Sequence, residues 1–227
     1  MHGRLLQRKI GWAYPRLARA SEAFWRHPSL ADLYLDYLHS LHGLMRASVP
    51  LMEAALNRSH ERAPSDPVAA SLVDYFTRHI PEELGHDLWV LEDLEALGID
   101  RAEAVRRIPS PGIAAAIGSQ YYWIHHVHPI GLLGYVAVVE GNPPSPESLE
   151  EIVSGSGLPA EAFQTLFKHA RLDPLHRDEL FAFLDTLPLE PEDAALLGVS
   201  ALSTVGALSA VFETLMRCEP TGASLAG

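Results

Sequence analysis

Two histidines and one aspartate recur at short intervals in His169-x3-Asp173-x2-His176. At about 100° per residue, a helix would place these three side chains within an arc of about 60°. Two imidazoles and a carboxylate on adjacent turns form a chelate suited to iron, manganese or zinc. Chance produces this spacing in about 0.08 occurrences per chain of this composition. The motif therefore predicts a metal site, the alternative being an amphipathic helix with a solvated His and Asp.

A second polar group occupies His79-Ile-Pro-Glu82-Glu83-Leu-Gly-His86. Offsets of three, four and seven residues stack on one face of a helix. A Glu three residues before a His is also a spacing used in helical di-iron sites. Chance alone gives about 1.5 such pairs per chain, so the spacing is weak by itself. The sequence leaves open whether Glu82 or Glu83 is the ligand, and whether His79 binds metal or only supports a ligand.

Glu140 is the third candidate, because it follows the apolar run 134–139. A carboxylate in that place is either buried with a partner or exposed at a helix end. At a helix C-terminus it would oppose the macrodipole, which favours a functional role. The three segments would together supply three imidazoles and three carboxylates: His86, His169, His176, Glu82 or Glu83, Glu140 and Asp173. This set suits two ferrous ions, whereas structural zinc sites favour four ligands, often thiolates.

The elements that would position these residues are helices, since apolar residues recur with helical period along almost the whole chain. No hairpin turn or sustained alternation indicates a strand. Pro50 is expected to bend or divide the first helix, and Pro129, Gly131 and Gly134 to produce a kink and a close backbone approach in the third. The predicted helices cover residues 29–57, 68–97, 112–140, 146–154, 159–170, 174–187 and 190–218. The sequence thus predicts an all-α bundle of about seven to nine helices.

Composition narrows the class of protein further. The formal net charge of −12 argues against nucleic-acid binding. No stretch approaches the roughly 18 uninterrupted apolar residues of a membrane span, and no signal-peptide core is visible. The single Cys218 cannot form an internal disulfide, so a cytoplasmic location is expected. We predict one domain over residues 1–218, followed by a disordered tail over residues 219–227.

The candidate segments resemble those of the haem-oxygenase-like di-metal oxidases, also called iron-containing redox enzymes. The matching stretches, in the family's order, are Glu82-Glu83-Leu-Gly-His86 with the residues up to Gly98, the run from Gly131 to Gly141 with Glu140, and the His169 motif. The resemblance implies a haem-oxygenase-like, TenA-like helical bundle that holds two irons, with a manganese–iron pair left open. It further implies O2 as co-substrate and a small substrate such as an amino acid, an amine or a fatty-acid-like molecule.

This sequence departs from the family at two positions. Many relatives place a Glu seven residues before the first His, and this chain has His79 there. Glu82 or Glu83 would replace it, or Glu53 from the preceding helix would complete the site. Pro174 directly follows Asp173, so that Asp173 either caps a new helix or lies in a kinked ligand helix that orders when metal binds.

Four further residues precede the expected kink at Pro129. They would either line a substrate pocket or pack in the core and at an interface, and we favour packing: Tyr121, Tyr122, His125 and His128. No catalytic residue is assigned from the sequence. Two other functions stay open, a metal-free enzyme on the same fold and a non-catalytic helical binding protein. The expected partners are a small-molecule substrate, an electron donor and a second copy of the chain.

Overall fold

The computed structural model describes residues 1–217, which form ten α-helices and one short 3-10 helix, with no strand among them. The predicted tail 219–227 and Cys218 lie outside the described residues. The α-helices are α1 (His2–Trp25), α2 (Leu30–Arg62), α3 (Pro67–Glu83), α4 (His86–Ala96), α5 (Arg101–Arg106), α6 (Pro111–His126), α7 (Gly131–Val139), α8 (Pro146–Ser156), α9 (Gln164–Thr186) and α10 (Pro191–Leu215); the 3-10 helix is Ala160–Phe163. The predicted all-α fold class is confirmed.

Two long helices organise the bundle. Helix α10 packs against α1, α7 and α6, and α2 packs against α3, α6 and α4. The largest core cluster includes Leu51, Phe76, Leu133 and Leu197 and so joins α2, α3, α7 and α10. Helix α9 crosses this arrangement, with contacts to α1, α4 and α7. Helix α9 thus contacts both α4 and α7, and these three helices with α3 are the ones that carry or adjoin the candidate ligands.

Local sequence signals explain several helix starts. The Asp66 carboxylate accepts hydrogen bonds from the backbone N–H groups of Val68 and Ala69, both at 3.0 Å. The Ser110 hydroxyl accepts one from the N–H of Ile113 at 3.3 Å. A proline occupies the first turn of α3, α6, α8 and α10, where its missing N–H would have no helical partner anyway.

Proline does not end every helix in which it occurs. Helix α2 continues through Pro50, and α9 continues through Pro174. The expected separate helices over 159–170 and 174–187 are thus largely one helix, because tertiary packing outweighs the loss of one backbone hydrogen bond. Asp173 lies inside α9 and does not cap a new helix.

The expected single helix over residues 68–97 is two helices. Helix α3 ends at Glu83 and α4 begins at His86, and between them Gly85 has φ +88°. That left-handed conformation suits glycine and stops helical propagation. The interpretation that Glu83 and His86 share one continuous helical face is therefore wrong, and their contact is made across a turn.

The predicted kink near Pro129 is a complete break, since α6 ends at His126 and α7 begins at Gly131. The close backbone approach predicted at Gly134 is confirmed. A Cβ at this position would clash with the Leu197 carbonyl and lie 2.9 Å from the Cβ of Ser200 on α10. Glycine at this point allows α7 and α10 to pack at short distance and sets the position of Glu140 at the end of α7.

Helix α10 is long and apolar enough to cross a membrane, with a mean hydropathy of 1.9 in its most apolar window. Glycine, serine and threonine interrupt its apolar residues, so it contains no uninterrupted apolar run of the length of a membrane span. In the structure α10 packs against α1, α6 and α7, and 44% of that window is buried. Length and composition are weak evidence for a membrane span, because core helices of soluble proteins share them.

Candidate metal centre

Glu83 lies at the centre of the candidate site. One of its carboxylate oxygens lies 3.2 Å from Nδ1 of His86, and the other lies 3.5 Å from Nδ1 of His176. The same nitrogen of His176 lies 3.8 Å from a carboxylate oxygen of Glu140. The potential ligand atoms of Glu83, Glu140 and His176 all lie within 4.8 Å of one another. Three sequence segments thus meet around a space of the size that a metal ion needs.

Helix α9 adds His169 and Asp173 to this group. The ring of His169 lies 5.1 Å from that of His86, centroid to centroid, and its Nδ1 lies 3.0 Å from the backbone carbonyl oxygen of Thr165. If Nδ1 donates to this carbonyl, Nε2 keeps its lone pair, which is the usual arrangement of a metal-binding histidine. We call the six residues the inner cluster: Glu83, His86, Glu140, His169, Asp173 and His176.

Two atoms of the inner cluster are buried without a hydrogen-bond partner among the described residues. They are Nδ1 of His86, which does not reach hydrogen-bond geometry with Glu83, and Oδ1 of Asp173. Leaving a buried polar atom unpaired costs about 1–3 kcal/mol. A cation bound between these groups would satisfy both atoms, so the donors present fit a metal.

The titration behaviour of the carboxylates points the same way. Burial, followed by the charge of Glu83, raises the pKa of Asp173 to about 8. Burial, Glu83 and Asp173 raise the pKa of Glu140 well above its usual range. Burial would also raise the pKa of Glu83, but the facing imidazoles, His86 foremost, hold it below its ordinary value. Asp173 and Glu140 thus lack a compensating positive charge, which a metal would supply.

The structure distinguishes the roles of Glu82 and Glu83, which the sequence alone left open. The Glu83 side chain is 10% exposed and belongs to the inner cluster, whereas that of Glu82 is 49% exposed and lies 3.9 Å from Nε2 of His79. Glu179 of α9 lies 3.8 Å from the same nitrogen. We call His79, Glu82 and Glu179 the outer cluster. Sequence reasoning missed Glu179, although it follows His176 by the three-residue spacing that marked the other pairs.

Other residues singled out by the sequence lie elsewhere. Glu53 and His125 line a shallow cleft together with neighbouring residues of α2. Burial, followed by the charge of Glu53, raises the pKa of Tyr121, and Tyr122 is exposed. The structure does not place these four residues with the inner cluster.

His128 connects two helix ends and does not lie at the candidate metal site. Its Nε2 lies 2.9 Å from a carboxylate oxygen of Asp66, and its Nδ1 accepts a hydrogen bond from the N–H of Ile130 at 3.0 Å. Both ring nitrogens are therefore engaged in joining the start of α3 to the turn before α7. The structure does not bring His128 to the inner cluster.

Asp93 positions α9 without belonging to the cluster. This fully buried residue of α4 accepts hydrogen bonds from the N–H groups of Gln164, at 3.0 Å, and Thr165, at 3.1 Å. These are unpaired donors of the first turn of α9, which an external carboxylate can satisfy. Burial nevertheless raises the pKa of Asp93 to about 6. Through Asp93, α4 fixes the first turn of α9, one turn before His169.

A cavity of about 240 Å³ adjoins the inner cluster. Glu83, Glu140, His169 and Asp173 form part of its wall, and most of the rest is aliphatic or aromatic. Helices α1, α2 and α10 supply side chains that sequence reasoning did not single out, among them Tyr14, Tyr37 and Phe212. The described lining residues include no lysine or arginine. The cavity therefore offers apolar contacts and hydroxyl groups beside the candidate metal ligands.

A family model described as "Iron-containing redox enzyme" matches residues 37–207, which include every residue of the inner cluster. The chain belongs to the iron-containing redox enzyme family. The predicted family is thereby confirmed. A comparison with curated proteins finds no match.

Solved structures agree with this family assignment at the level of the fold. The chain is similar to a domain of unknown function with a heme oxygenase-like fold from Shewanella denitrificans OS217, with a TM-score of 0.77, 15% identity, and 94% of this chain and 91% of that chain covered. It is also similar to a TenA homolog from Pseudomonas syringae pv. tomato DC3000, with a TM-score of 0.67, 13% identity, and 92% of each chain covered. The haem-oxygenase-like, TenA-like bundle predicted from the sequence is therefore confirmed.

Membership in an iron-containing redox enzyme family gives the inner cluster a chemical context. Imidazole and carboxylate donors are ligands that iron accepts readily in proteins. The set is distributed over α3, α4, α9 and the end of α7, so that no single helix can form it alone. Iron in this family member would thus depend on the packed bundle and would be coupled to its folding.

Proposed function

We propose that this protein is a non-haem di-iron, O2-dependent oxidase or oxygenase that acts on a small molecule. The observation that carries the proposal is the inner cluster, in which Glu83, Glu140 and His176 place ligand atoms within 4.8 Å of one another. His86, His169 and Asp173 would complete the ligand set. When bound, a pair of ferrous ions supplies the electrons that activate O2, and a manganese–iron pair could use the same donors.

The chain's own residues would control charge and protons at this site. Glu140 and Asp173, whose pKa values are raised by burial and by Glu83, would hold protons in the metal-free protein and release them as metal binds. The backbone carbonyl oxygen of Thr165 would keep His169 oriented through its contact with Nδ1 of the imidazole. An electron donor is a further expected partner of the reaction.

The cavity beside the cluster supports a small, largely apolar substrate. Its volume of about 240 Å³ is below the roughly 300–1,000 Å³ of pockets for drug-sized ligands. An anionic headgroup would find no lysine or arginine among the described lining residues. The apolar part of an amine, an amino acid or a short aliphatic acid would pack against the cavity wall. A substrate carboxylate would then have to be neutralised at the metal.

Anaerobic titration with ferrous iron tests the proposal. We expect about two tightly held irons per chain and an optical change when O2 is admitted, both lost in His176→Ala. The matched control is His128→Ala, since His128 is also buried but bonds to Asp66 and Ile130. Less than about one iron per chain, without an optical change on O2 addition, would contradict the proposal.

A metal-free enzyme on the same fold is the second candidate. Asp173, with its pKa raised to about 8, would carry a proton near neutral pH and could act as a general acid beside the cavity. The likeness to a TenA homolog is compatible with this candidate at the level of the fold. Turnover of a small molecule that survives exhaustive chelation but is lost in Asp173→Asn would favour it over the di-iron oxidase.

A further inference from the structure

The outer cluster has the donors of a second, separate metal site. The Nε2 atom of His79 and one carboxylate oxygen each of Glu82 and Glu179 lie within 4.8 Å of one another. The His79 side chain is only 5% exposed, whereas those of Glu82 and Glu179 are 49% and 59% exposed. The cluster is thus closed on the histidine side and open to solvent on the carboxylate side.

The orientation of His79 is fixed by α3 itself. Its Nδ1 lies 2.9 Å from the backbone carbonyl oxygen of Tyr75, and its ring stacks on the ring of Tyr75 at 3.9 Å. A carbonyl can only accept, so Nδ1 carries the proton in the neutral ring and Nε2 presents a lone pair to the carboxylates. This arrangement of one nitrogen bonded to the backbone and the other free is common among metal-ligating histidines.

The second ring nitrogen of His79 makes no hydrogen bond within residues 1–217. Nε2 of His79 is buried and has no hydrogen-bond partner among the described residues. The two carboxylates stay 3.8 and 3.9 Å away, which is beyond hydrogen-bond length. Within residues 1–217, neither Glu82 nor Glu179 forms an ion pair with lysine or arginine. A lone pair thus faces two negative charges with no positive charge between them.

The outer cluster shares no ligand with the inner one. Adjacent glutamates diverge, so that Glu82 joins His79 while Glu83 joins His86 and His176. The rings of His79 and His176 lie 6.3 Å apart, centroid to centroid. An ion in each cluster would therefore be a close neighbour of the other, yet each would keep its own ligands.

We propose that His79, Glu82 and Glu179 bind one divalent first-row transition cation at the surface of the bundle. One imidazole and two carboxylates neutralise a doubly charged ion and suit manganese, ferrous iron or zinc. Water would fill the positions on the exposed side, because the protein offers ligands from only one side. The bound ion exchanges with solvent, in contrast to an ion held by the buried inner cluster. The proposal does not depend on the redox chemistry of the inner cluster.

Counting bound Mn²⁺ by the loss of its free-ion EPR signal tests the outer site in the full chain. We expect Glu82→Gln and Glu179→Gln each to bind about one Mn²⁺ fewer per chain than the wild type. Asp178→Asn is the matched control, since Asp178 is an exposed neighbour of Glu179 that pairs with Arg177 instead. Far-UV circular dichroism confirms folding, which substitutions at exposed side chains are expected to preserve.

The results separate this site from the inner cluster. A count that falls equally in Asp178→Asn would show non-specific binding to surface acids and overturn the proposal. An unchanged count in both Glu82→Gln and Glu179→Gln would overturn it as well, because His79 would then face the carboxylates without a metal. If Glu82→Gln and Glu179→Gln each bind one ion fewer than the wild type while Glu83→Gln binds as many as the wild type, the result would support the outer site. The same result would contradict the di-iron proposal.

Discussion

The inner and outer clusters both take histidine and carboxylate side chains from α3 and α9, but the inner cluster also includes His86 of α4 and Glu140 after α7, and its carboxylates are more deeply buried. Helix α3 supplies Glu83 to one and Glu82 to the other, and α9 supplies His176 to one and Glu179 to the other. In the inner cluster, burial raises the pKa of Asp173 and Glu140, whereas the outer carboxylates are half exposed. The difference teaches that similar ligand types can form a buried site with six candidate ligands and an exposed site with three, and we expect the buried site to hold an ion more firmly.

Replacing each of the two adjacent glutamates separately by glutamine should reveal the largest difference between the inner and the outer cluster. In Glu83→Gln we expect iron affinity to fall by more than the roughly 10–100-fold typical of losing an outer-shell partner. In Glu82→Gln the tightly held iron should survive desalting, because Glu82 belongs to the exposed cluster. Iron content by mass spectrometry measures both variants. Equal retention in the two would contradict the division into inner and outer clusters.

Removing the hydrogen bonds by which Asp93 of α4 holds the start of α9 should have the next largest effect, on the free energy of unfolding. Asp93→Ala removes two hydrogen bonds to the first turn of α9 and leaves the N–H of Thr165 buried without a partner. We expect a loss of about 2–4 kcal/mol in the free energy of unfolding, from the cost of this unpaired buried group and a lost cap. Urea denaturation measures it. Ser148→Ala, near the exposed start of α8, is the control and should change stability little.

The pH dependence of the metal-free protein should reveal the cost of the buried carboxylate. Because the folded-state pKa of Asp173 is raised from its ordinary value to about 8, its stabilising contribution is complete below that ordinary value and is lost as the pH rises to 8. Each pH unit in this window costs at most about 1.4 kcal/mol, or roughly 3–6 °C in Tm. With chelator present, the Tm of the wild type should fall between pH 5 and pH 8 by more than the Tm of Asp173→Asn. Parallel plots of Tm against pH for the two proteins would contradict the raised pKa of Asp173.

The outer cluster should contribute least to folding. Glu179→Gln changes a side chain that is 59% exposed. Surface substitutions of this kind usually change the free energy of unfolding by no more than about 0.5 kcal/mol in either direction. Thermal unfolding in chelator should therefore give nearly the same Tm as the wild type. Added Mn²⁺ should raise the Tm of the wild type more than that of the variant, since the ion binds only the folded state. An equal rise in both would contradict the outer site.

The fold class and most of the candidate site could be predicted from spacing and periodicity. The helical period identified the bundle, and the motif around His169 placed two imidazoles and a carboxylate on one helix, as α9 shows. Both signals are local, because they depend on residues within a few turns of each other.

What the sequence could not provide depends on backbone conformation and on contacts between distant segments. The left-handed conformation of Gly85 divides a stretch that reads as one helix, and nothing in the apolar pattern marks that break. The choice between Glu82 and Glu83 required the positions of α4 and α9. Glu179 joins His79 only in three dimensions, across about 100 residues. The cavity walls likewise come from α1, α2 and α10, which carry no motif.

The packing of α1 on α10 has a consequence for the order in which the bundle can close. Helix α1 packs most extensively on α10, with Lys9 bonded to the Ala194 carbonyl and Arg16 paired with Glu213. During synthesis, α1 would lack this partner until residues 191–215 had been made, and contacts so distant in sequence slow folding. Until then the apolar side of α1 would lack the surface that buries it. The inner cluster draws on α3, α4, α9 and the end of α7, so it would become complete only after these helices have packed, and metal binding would follow that step.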